Sequence, residues 1–293
     1  MSEVRQRWRL TFARDEDARY LSHLDAVHQW ERAFRRARIP VATSEGFSPR
    51  PRLIFAAPLQ LGMLAEHDLA DLYMAERLTA ADLRRRLIDG LPRGYRLVDI
   101  HDVWTGAPAL APQLSAADYR LTLFNVERPR LQEAVDRILA AERLQRVRRR
   151  ESKTTTYDLR PLVLGLRCVE PDLTAHTETN RDTPAAGAAA AGATSAGATA
   201  AAGLGQDRAP MAGLWLRLRH SQDRGSGRPD EVVAALAEYL GLEIYAPADD
   251  TDDAAQTDDG RRLATGGGER SRPSALEVLR PIRERLWLVD EVD

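Results

Sequence analysis

The first half of the chain alternates between strand-like and helix-like hydrophobic patterns. Residues 5–13 carry large apolar side chains at every second position, which is the period of a strand. From Ser22 to Pro40 the apolar residues recur at helical spacing, and Ser22 with Asp25 three positions later predicts an N-terminal cap. A second helix is predicted from Thr79, and further strands at 41–43, 53–57, 68–75 and 95–104. This order of elements predicts a ferredoxin-like α+β sandwich.

The second half shows the same order of patterns. Strands are predicted at 119–124, 144–150, 214–219 and 286–289, and helices at 129–141 and from Pro229 to Gly241. We therefore predict two tandem ferredoxin-like (βαββαβ) sandwiches, residues 1–110 and 116–293. Segments 175–210 and 247–273 interrupt the second sandwich. They are rich in Ala and Gly or in Asp and Gly and lack core residues, so we expect intrinsically disordered insertions.

Composition restricts the possible functions. The chain has 293 residues, of which 43% are hydrophobic, and no apolar run approaches the ~18 residues of a membrane span. Its N-terminus lacks the apolar segment of a signal peptide. The lone cysteine, Cys168, excludes a disulfide within the chain and an iron–sulfur cluster, which needs about three or four thiolates. We expect a cytoplasmic protein that contacts no membrane and binds no cofactor of its own.

One loop combines residues that stiffen the backbone with residues that bind partners. Gly46 allows positive φ, while Pro49 and Pro51 hold the chain extended. The loop thereby presents an aromatic ring and two guanidinium groups, which suit a flat or anionic partner. Alternatively, it is a proline-rich turn that only connects two strands. Its sequence is Ser44-Glu45-Gly46-Phe47-Ser48-Pro49-Arg50-Pro51-Arg52-Leu53.

This loop is one of several motifs that together resemble a known family. The motifs are Arg19-Tyr20-Leu21-Ser22-His23-Leu24-Asp25, Gly46-Phe47-Ser48-Pro49-Arg50-Pro51-Arg52, Pro58-Leu59 with Gly62, Tyr157-Asp158-Leu159-Arg160-Pro161-Leu162 and Arg228-Pro229-Asp230-Glu231-Val232. They are similar to the signature of the radical SAM-associated family, a domain of uncharacterised function. That domain occurs alone or at the C-terminus of cobalamin-binding radical SAM proteins, so the resemblance implies such a protein as partner. Arg50 stands where the family usually has histidine, which argues against metal ligation there.

A second basic cluster lies on the predicted strand at 144–150. Arg146, Arg148 and Arg150 share one face of that strand, where their like charges repel each other. An anionic partner such as nucleic acid would relieve this repulsion. The formal net charge of −2, however, is not that of a strongly basic nucleic-acid-binding domain.

Three hypotheses follow. The first is a non-enzymatic accessory module that acts with a cobalamin-binding radical SAM protein. It would recognise a substrate or partner through the loop from Gly46 to Arg52 together with His23, supported by Arg160. Arg146, Arg148 and Arg150 would bind a polyanion or an acidic surface of the partner. The second is an RNA-binding protein in RNA modification or maturation, using the second basic cluster. The third is an unrecognised enzyme with His23 and Asp25 as an acid–base pair.

Two observations favour the non-enzymatic hypothesis. The sequence contains no glycine-rich nucleotide loop, no nucleophile elbow and no histidine–cysteine pair. Its six histidines also lack the spacing of a metal site. For Asp25 there is a purely structural alternative, in which it completes the helix cap with Ser22.

Overall fold

The structure is a computed structural model. It describes residues 4–45, 47, 49–150, 153–172, 211–221, 223, 225–244, 275–278 and 281–289. Both predicted insertions, 175–210 and 247–273, lie entirely outside these residues, as do Gly46 and Ser48 of the proline-rich loop. In the described part of the chain, no helix is long and apolar enough to cross a membrane.

The first half forms an antiparallel sheet that packs two helices on one face. Its elements are β1 (Gln6–Arg14), α1 (His23–Arg36), β2 (Leu53–Phe55), β3 (Leu64–Met74), α2 (Ala80–Gly90) and β4 (Tyr95–Val103). The strands lie in the order β4-β1-β3-β2, and each neighbouring pair is antiparallel. The predicted strand at 41–43 makes only isolated bridges. Strand β3 starts at Leu64 rather than at the predicted Asp68, because its first residues pair with a distant strand.

The second half contains a similar antiparallel sheet and a separate hairpin. Its elements are β5 (Leu114–Phe124), α3 (Arg128–Ala140), β6 (Gln145–Arg150), β7 (Lys153–Asp158), β8 (Val163–Val169), β9 (Met211–Ser221), β10 (Gly225–Ser226), α4 (Pro229–Leu240), β11 (Glu243–Ile244), β12 (Ala275–Val278) and β13 (Ile282–Leu288). Strands β8, β9, β5 and β13 are neighbours in that order, all antiparallel, and among the described strands β6 pairs with β7 alone. Gly241 ends α4 in the left-handed conformation, with φ of 66°, as its position after the helix predicted.

Two hydrophobic cores hold the helices on the sheet. In the first half the core is aromatic: the ring centroids of Phe12 and Trp30 lie 5.4 Å apart, and those of Trp30 and Tyr95 lie 5.3 Å apart. Such edge-to-face contacts add stabilisation to the burial of the rings. The second core is aliphatic and packs buried residues of β5 and β9, such as Leu121 and Leu214, against α3 and α4.

Strand β13 joins the two halves into one sheet. It runs antiparallel to β5, and its first residues pair in parallel with β3, Ile282 opposite Leu64 and Arg283 opposite Ala65. The α+β class is thus confirmed, as a large mixed sheet with four helices in the described part of the chain. The prediction of two tandem sandwiches is not confirmed, because this long-range pairing merges their strands into one sheet.

A buried ion pair lies at this junction. Arg283 donates from Nε to Asp68 Oδ1 over 2.7 Å and from Nη2 to Asp68 Oδ2 over 2.6 Å. It also donates to the carbonyls of Pro58 and Ala57. The two charged side chains are only 3% and 6% exposed. Burial lowers the pKa of Arg283, but Asp68 and Tyr119 outweigh burial and raise it above its usual value, so the guanidinium stays charged.

Removal of Asp68 tests the energetic importance of this junction. Asp68→Ala leaves the Arg283 cation buried without its counter-charge, so we expect a loss of about 3–5 kcal/mol in the free energy of unfolding. Asp99→Ala is the matched control, because Asp99 forms an exposed pair with Arg84. It should cost no more than about 1 kcal/mol. Urea denaturation measures both, and equal losses would show that the junction pair has no special role.

Candidate functional site

The proline-rich loop is a short, well-paired hairpin. The backbone N–H of Ser44 donates to the Arg50 carbonyl over 2.8 Å, and that of Arg52 donates to the Ala42 carbonyl over 2.8 Å. Thr43 and Pro51 form a bridge between these two bonds. We call residues 42–52 the hairpin. Its base continues into β2, so the tip is held at the end of the sheet.

The hairpin presents an aromatic ring to solvent. Phe47 at the tip is as exposed as it would be in an extended peptide, at 111% of the reference value. Arg50 is also exposed, and its backbone N–H donates to Ser44 Oγ over 3.1 Å, which fixes the returning strand. Pro49 lies exposed between them in sequence. An aromatic ring and a guanidinium therefore stand on a stiff projection.

The structure separates Arg52 from His23, although the sequence grouped them in one site. Arg52 lies over the ring of Tyr73, with Cζ 4.3 Å from the ring centroid. Phe55 packs instead against the first core, and the ring of His23 contacts it with centroids 5.6 Å apart. Because residues 52 and 55 alternate along one strand, Arg52 and His23 lie on opposite faces of the sheet. Phe47 and Arg50 therefore form one candidate surface, and His23 belongs to another.

The second surface surrounds the start of α1. His23 is exposed and lines a small cavity of about 20 Å³ together with Arg14, Tyr95 and Asp68. Arg14 donates to three backbone carbonyls in the segment between β1 and α1, and these bonds hold that segment in place. Burial lowers the pKa of Arg14 and raises the pKa of Tyr95. The cavity has room for about one water molecule, so a ligand here would bind on the surface.

Exposed apolar side chains flank His23, and they are not among the site residues that the sequence predicted. Tyr20 is 71% exposed, Leu24 is 54% exposed and Leu61 is 62% exposed. Arg19 fixes this region, since its Nε donates to the Gly62 carbonyl over 2.8 Å. Tyr20 and Leu24 lie in the same motif as His23, and their apolar character could have marked the surface. We call these residues the helix-entrance patch.

Asp25 has a structural role at the helix N-terminus. Ser22 Oγ accepts a hydrogen bond from the Asp25 backbone N–H over 3.1 Å and donates to Asp25 Oδ2 over 2.7 Å. This is the cap that the sequence predicted. Within the described residues, no hydrogen bond joins His23 to Asp25. Nor does that part of the chain contain a group of three or more His, Cys, Asp or Glu side chains able to hold a metal.

The structure agrees only in part with the binding roles predicted for the arginines of the second half. Strand β6 forms as predicted, but Arg146 is paired with Glu238 of α4 and its side chain is only 12% exposed. The side chains of Arg148 and Arg150 lie outside the described residues. Arg160 donates to the carbonyls of Leu139 and Val163, both over 3.1 Å, so it connects α3 to β8 rather than supporting the hairpin.

Motifs that are distant in sequence meet at the junction of the halves. A cavity of about 120 Å³ is lined by Pro58 and Gln60 from the first half and by His220 and Arg228 from the second. Burial, and then the charge of Arg283, lower the pKa of His220, which favours its neutral form at pH 7. The Pro58-Leu59 and Arg228-Pro229 motifs thus lie beside the junction ion pair.

Comparison with known proteins gives a family match without an activity. A sequence model of the family described as "Uncharacterized protein conserved in bacteria (DUF2344)" matches residues 7–191, more than half of the chain. No curated protein matches the chain. Among solved structures, one of an unknown protein from Galdieria sulphuraria is 13% identical and covers 80% of this chain and 92% of that chain, with a TM-score of 0.22. A TM-score of that size carries no structural argument.

Substitution of the cap residue tests the structural role of Ser22 and Asp25. Ser22→Ala removes the cap bond, so we expect α1 to lose about 1 kcal/mol of stabilisation. Glu127→Ala is the control, because Glu127 occupies the same position at α3 without a side-chain cap bond. It should change the free energy of unfolding by less than about 0.5 kcal/mol. Chemical denaturation compares the two variants, and a neutral Ser22→Ala would contradict the cap.

Proposed function

Given that this chain belongs to the DUF2344 family of uncharacterised bacterial proteins, we propose that it is a non-enzymatic recognition module. The observation that carries the proposal is the fully exposed ring of Phe47 at the tip of the hairpin, which also carries the exposed Arg50. Aromatic residues and arginine are the side chains that most often dominate binding energy at protein interfaces. Phe47 gains nothing from burial in the free protein, and covering it with a partner would contribute about 2–3 kcal/mol.

The construction of the hairpin supports tight binding. Backbone pairing between Ser44 and Arg50 and between Ala42 and Arg52, together with two prolines, fixes its conformation before the partner arrives. A preorganised loop loses less conformational entropy on binding than a flexible one. The helix-entrance patch offers a second contact of apolar character around His23. We assign both surfaces to recognition and none to catalysis.

The proposed partner is a cobalamin-binding radical SAM protein. Support for this identity comes from the motif resemblance, most of all from Arg19 to Asp25 and from Gly46 to Arg52. This chain has a single cysteine and therefore cannot supply the ligands of an iron–sulfur cluster. In this proposal the partner carries out the chemistry, and this chain presents or positions the substrate.

We also propose that the halves are tandem ferredoxin-like units that share one sheet. The strand order β4-β1-β3-β2 of the first half has its counterpart in β13-β5-β9-β8 of the second. In both halves, a helix separates the first and second of these strands in chain order: α1 lies between β1 and β2, and α3 with the hairpin β6–β7 lies between β5 and β8. These parallels support a repeated βαββαβ plan with β6 and β7 inserted.

The enzyme hypothesis and the RNA hypothesis receive less support at the residues that the sequence assigned to them. The enzyme hypothesis needs Asp25 as the partner of His23, whereas Asp25 binds Ser22. The RNA hypothesis used the face of Arg146, which is already neutralised by Glu238.

Substitution of Phe47 tests the docking role of the hairpin. Phe47→Ala combined with Arg50→Ala should reduce recovery of a radical SAM protein with the tagged chain from native cells by at least about tenfold, the equivalent of 1.4 kcal/mol. The fold should be unaffected, because neither side chain is buried.

The matched control is Ile88→Ala combined with Arg85→Ala. Both residues lie exposed on α2, away from the hairpin in the chain. This pair should leave recovery unchanged. Equal recovery with the Phe47/Arg50 variant and the wild type would eliminate the hairpin as the docking element, and recovery of no radical SAM protein by the wild type would eliminate the proposed partner.

A further inference from the structure

Two tryptophans lie among arginines on the face of the second-half sheet that is opposite to α3 and α4. Core residues such as Leu214 and Leu216 alternate along β9 with Trp215 and Arg217, so the latter two point away from the helices. On β13, Trp287 lies two residues beyond Arg285. We call this surface the helix-free face.

Cross-strand pairing arranges these residues in rows. One row places Arg167 of β8, Trp215 of β9 and Arg120 of β5 side by side. The next row contains Gly165, Arg217, Asp118 and Arg285, and the third contains Arg219, Ala116 and Trp287. Together the rows span four strands. The two tryptophans lie on β9 and β13, which flank β5 and are therefore two strand spacings, roughly 10 Å, apart.

Each indole lies against guanidinium groups. Arg167 Cζ is 4.2 Å from the ring centroid of Trp215, and Arg285 Cζ is 4.1 Å from that of Trp287. Arg217 lies between the two rings, 5.5 Å from Trp215 and 4.6 Å from Trp287. Planar groups therefore follow one another across the sheet. Both aromatic rings and guanidinium planes are surfaces on which an unpaired base stacks.

The Trp215 ring lies against Gly165 of the neighbouring strand. A Cβ atom placed on Gly165 would lie only 3.0 Å from Cζ3 of the indole, so the glycine makes room for the ring. Asp118 binds Arg217 through two hydrogen bonds of 2.7 and 2.8 Å, which fixes the guanidinium between the tryptophans. Trp215 and Trp287 are only half-buried. These contacts hold the stacking platform in place.

The charge of this face suits a polyanion. It carries five arginines, Arg120, Arg167, Arg217, Arg219 and Arg285. In the described part of the chain, Asp118 pairs with Arg217 and Glu284 pairs with Arg120. Arginines therefore outnumber these carboxylates beside the aromatic rings, and phosphates are suitable partners for them.

The corresponding face of the first half is closed to such a ligand. Arg7 and Arg9, which alternate with core residues of β1, are buried and both bind Asp71. Arg7 also donates to the carbonyls of Ala107 and Pro108 in the segment between the halves. Its guanidinium thus has protein acceptors in place of phosphate.

We propose that the helix-free face binds single-stranded RNA, with bases stacked on the Trp215 and Trp287 platform and phosphates held by the surrounding arginines. The proposal does not depend on the hairpin and goes beyond the docking function. Bases must be unpaired to reach these rings, and unpaired loops and ends are the parts of RNA that sequence-specific RNA-binding proteins most often recognise. A module with both surfaces would bring RNA to its docked partner.

The test is a fluorescence-anisotropy titration with a labelled single-stranded RNA of about 12 nucleotides. Trp215→Ala should weaken binding about tenfold or more. Because that variant removes a half-buried ring, Arg167→Glu combined with Arg285→Glu provides an independent test on two exposed residues. This pair should weaken binding and reduce the slope of log affinity against log salt by about 0.7 for each lost phosphate contact.

Arg84→Glu combined with Arg93→Glu changes the charge equally at exposed sites of the first half and should have a much smaller effect. Absence of RNA binding, or equal weakening by the two charge pairs, would overturn the proposal. So would tighter binding of DNA of the same sequence or of duplex RNA. Tighter binding of a polyglutamate peptide would assign the face to an acidic protein and overturn it as well.

Discussion

The buried pair of Arg283 and Asp68 is the interaction on which the arrangement of the molecule depends. The two residues are 215 positions apart, and their bond fixes the start of β13 against β3 while the rest of β13 pairs with β5. Desolvation of two charges is expensive, and this pair is tolerated because every guanidinium nitrogen has an acceptor. The consequence is one sheet, so the hairpin and the helix-free face are held by the same framework.

This arrangement separates structural motifs from exposed ones. Pro58 and Gly62 serve the framework, since the Pro58 carbonyl accepts from Arg283 and the Gly62 carbonyl accepts from Arg19. Phe47 and Tyr20 lie in comparable motifs and yet face solvent. A motif in the sequence therefore marks either a structural contact or a binding surface, and only the three-dimensional contacts distinguish the two. The hairpin, the helix-entrance patch and the helix-free face are the surfaces to which we propose to assign recognition.

Local patterns predicted the elements that depend on local interactions. The alternation of Trp8, Leu10 and Phe12 predicted β1, and the Ser22 cap and Gly241 predicted where α1 begins and α4 ends. The pairing of β13 with β3 could not be predicted, because it joins distant residues without a local signal. The position of Arg52 was missed for a related reason, since its face depends on the register of β2 against β3. The tryptophan platform likewise combines residues of four strands, and each strand alone shows only an ordinary alternation.

If β13 fixes the two halves to each other, they unfold as a single cooperative unit. Native-state hydrogen exchange at increasing denaturant measures this cooperativity, because it gives the opening free energy of each amide. We expect the central amides of β1, β3, β5 and β9 to exchange with one common opening free energy, because neither half opens alone. If β5 and β9 stayed protected while β1 and β3 opened at a free energy several kcal/mol lower, the halves would be independent domains and β13 would not join them into one unit.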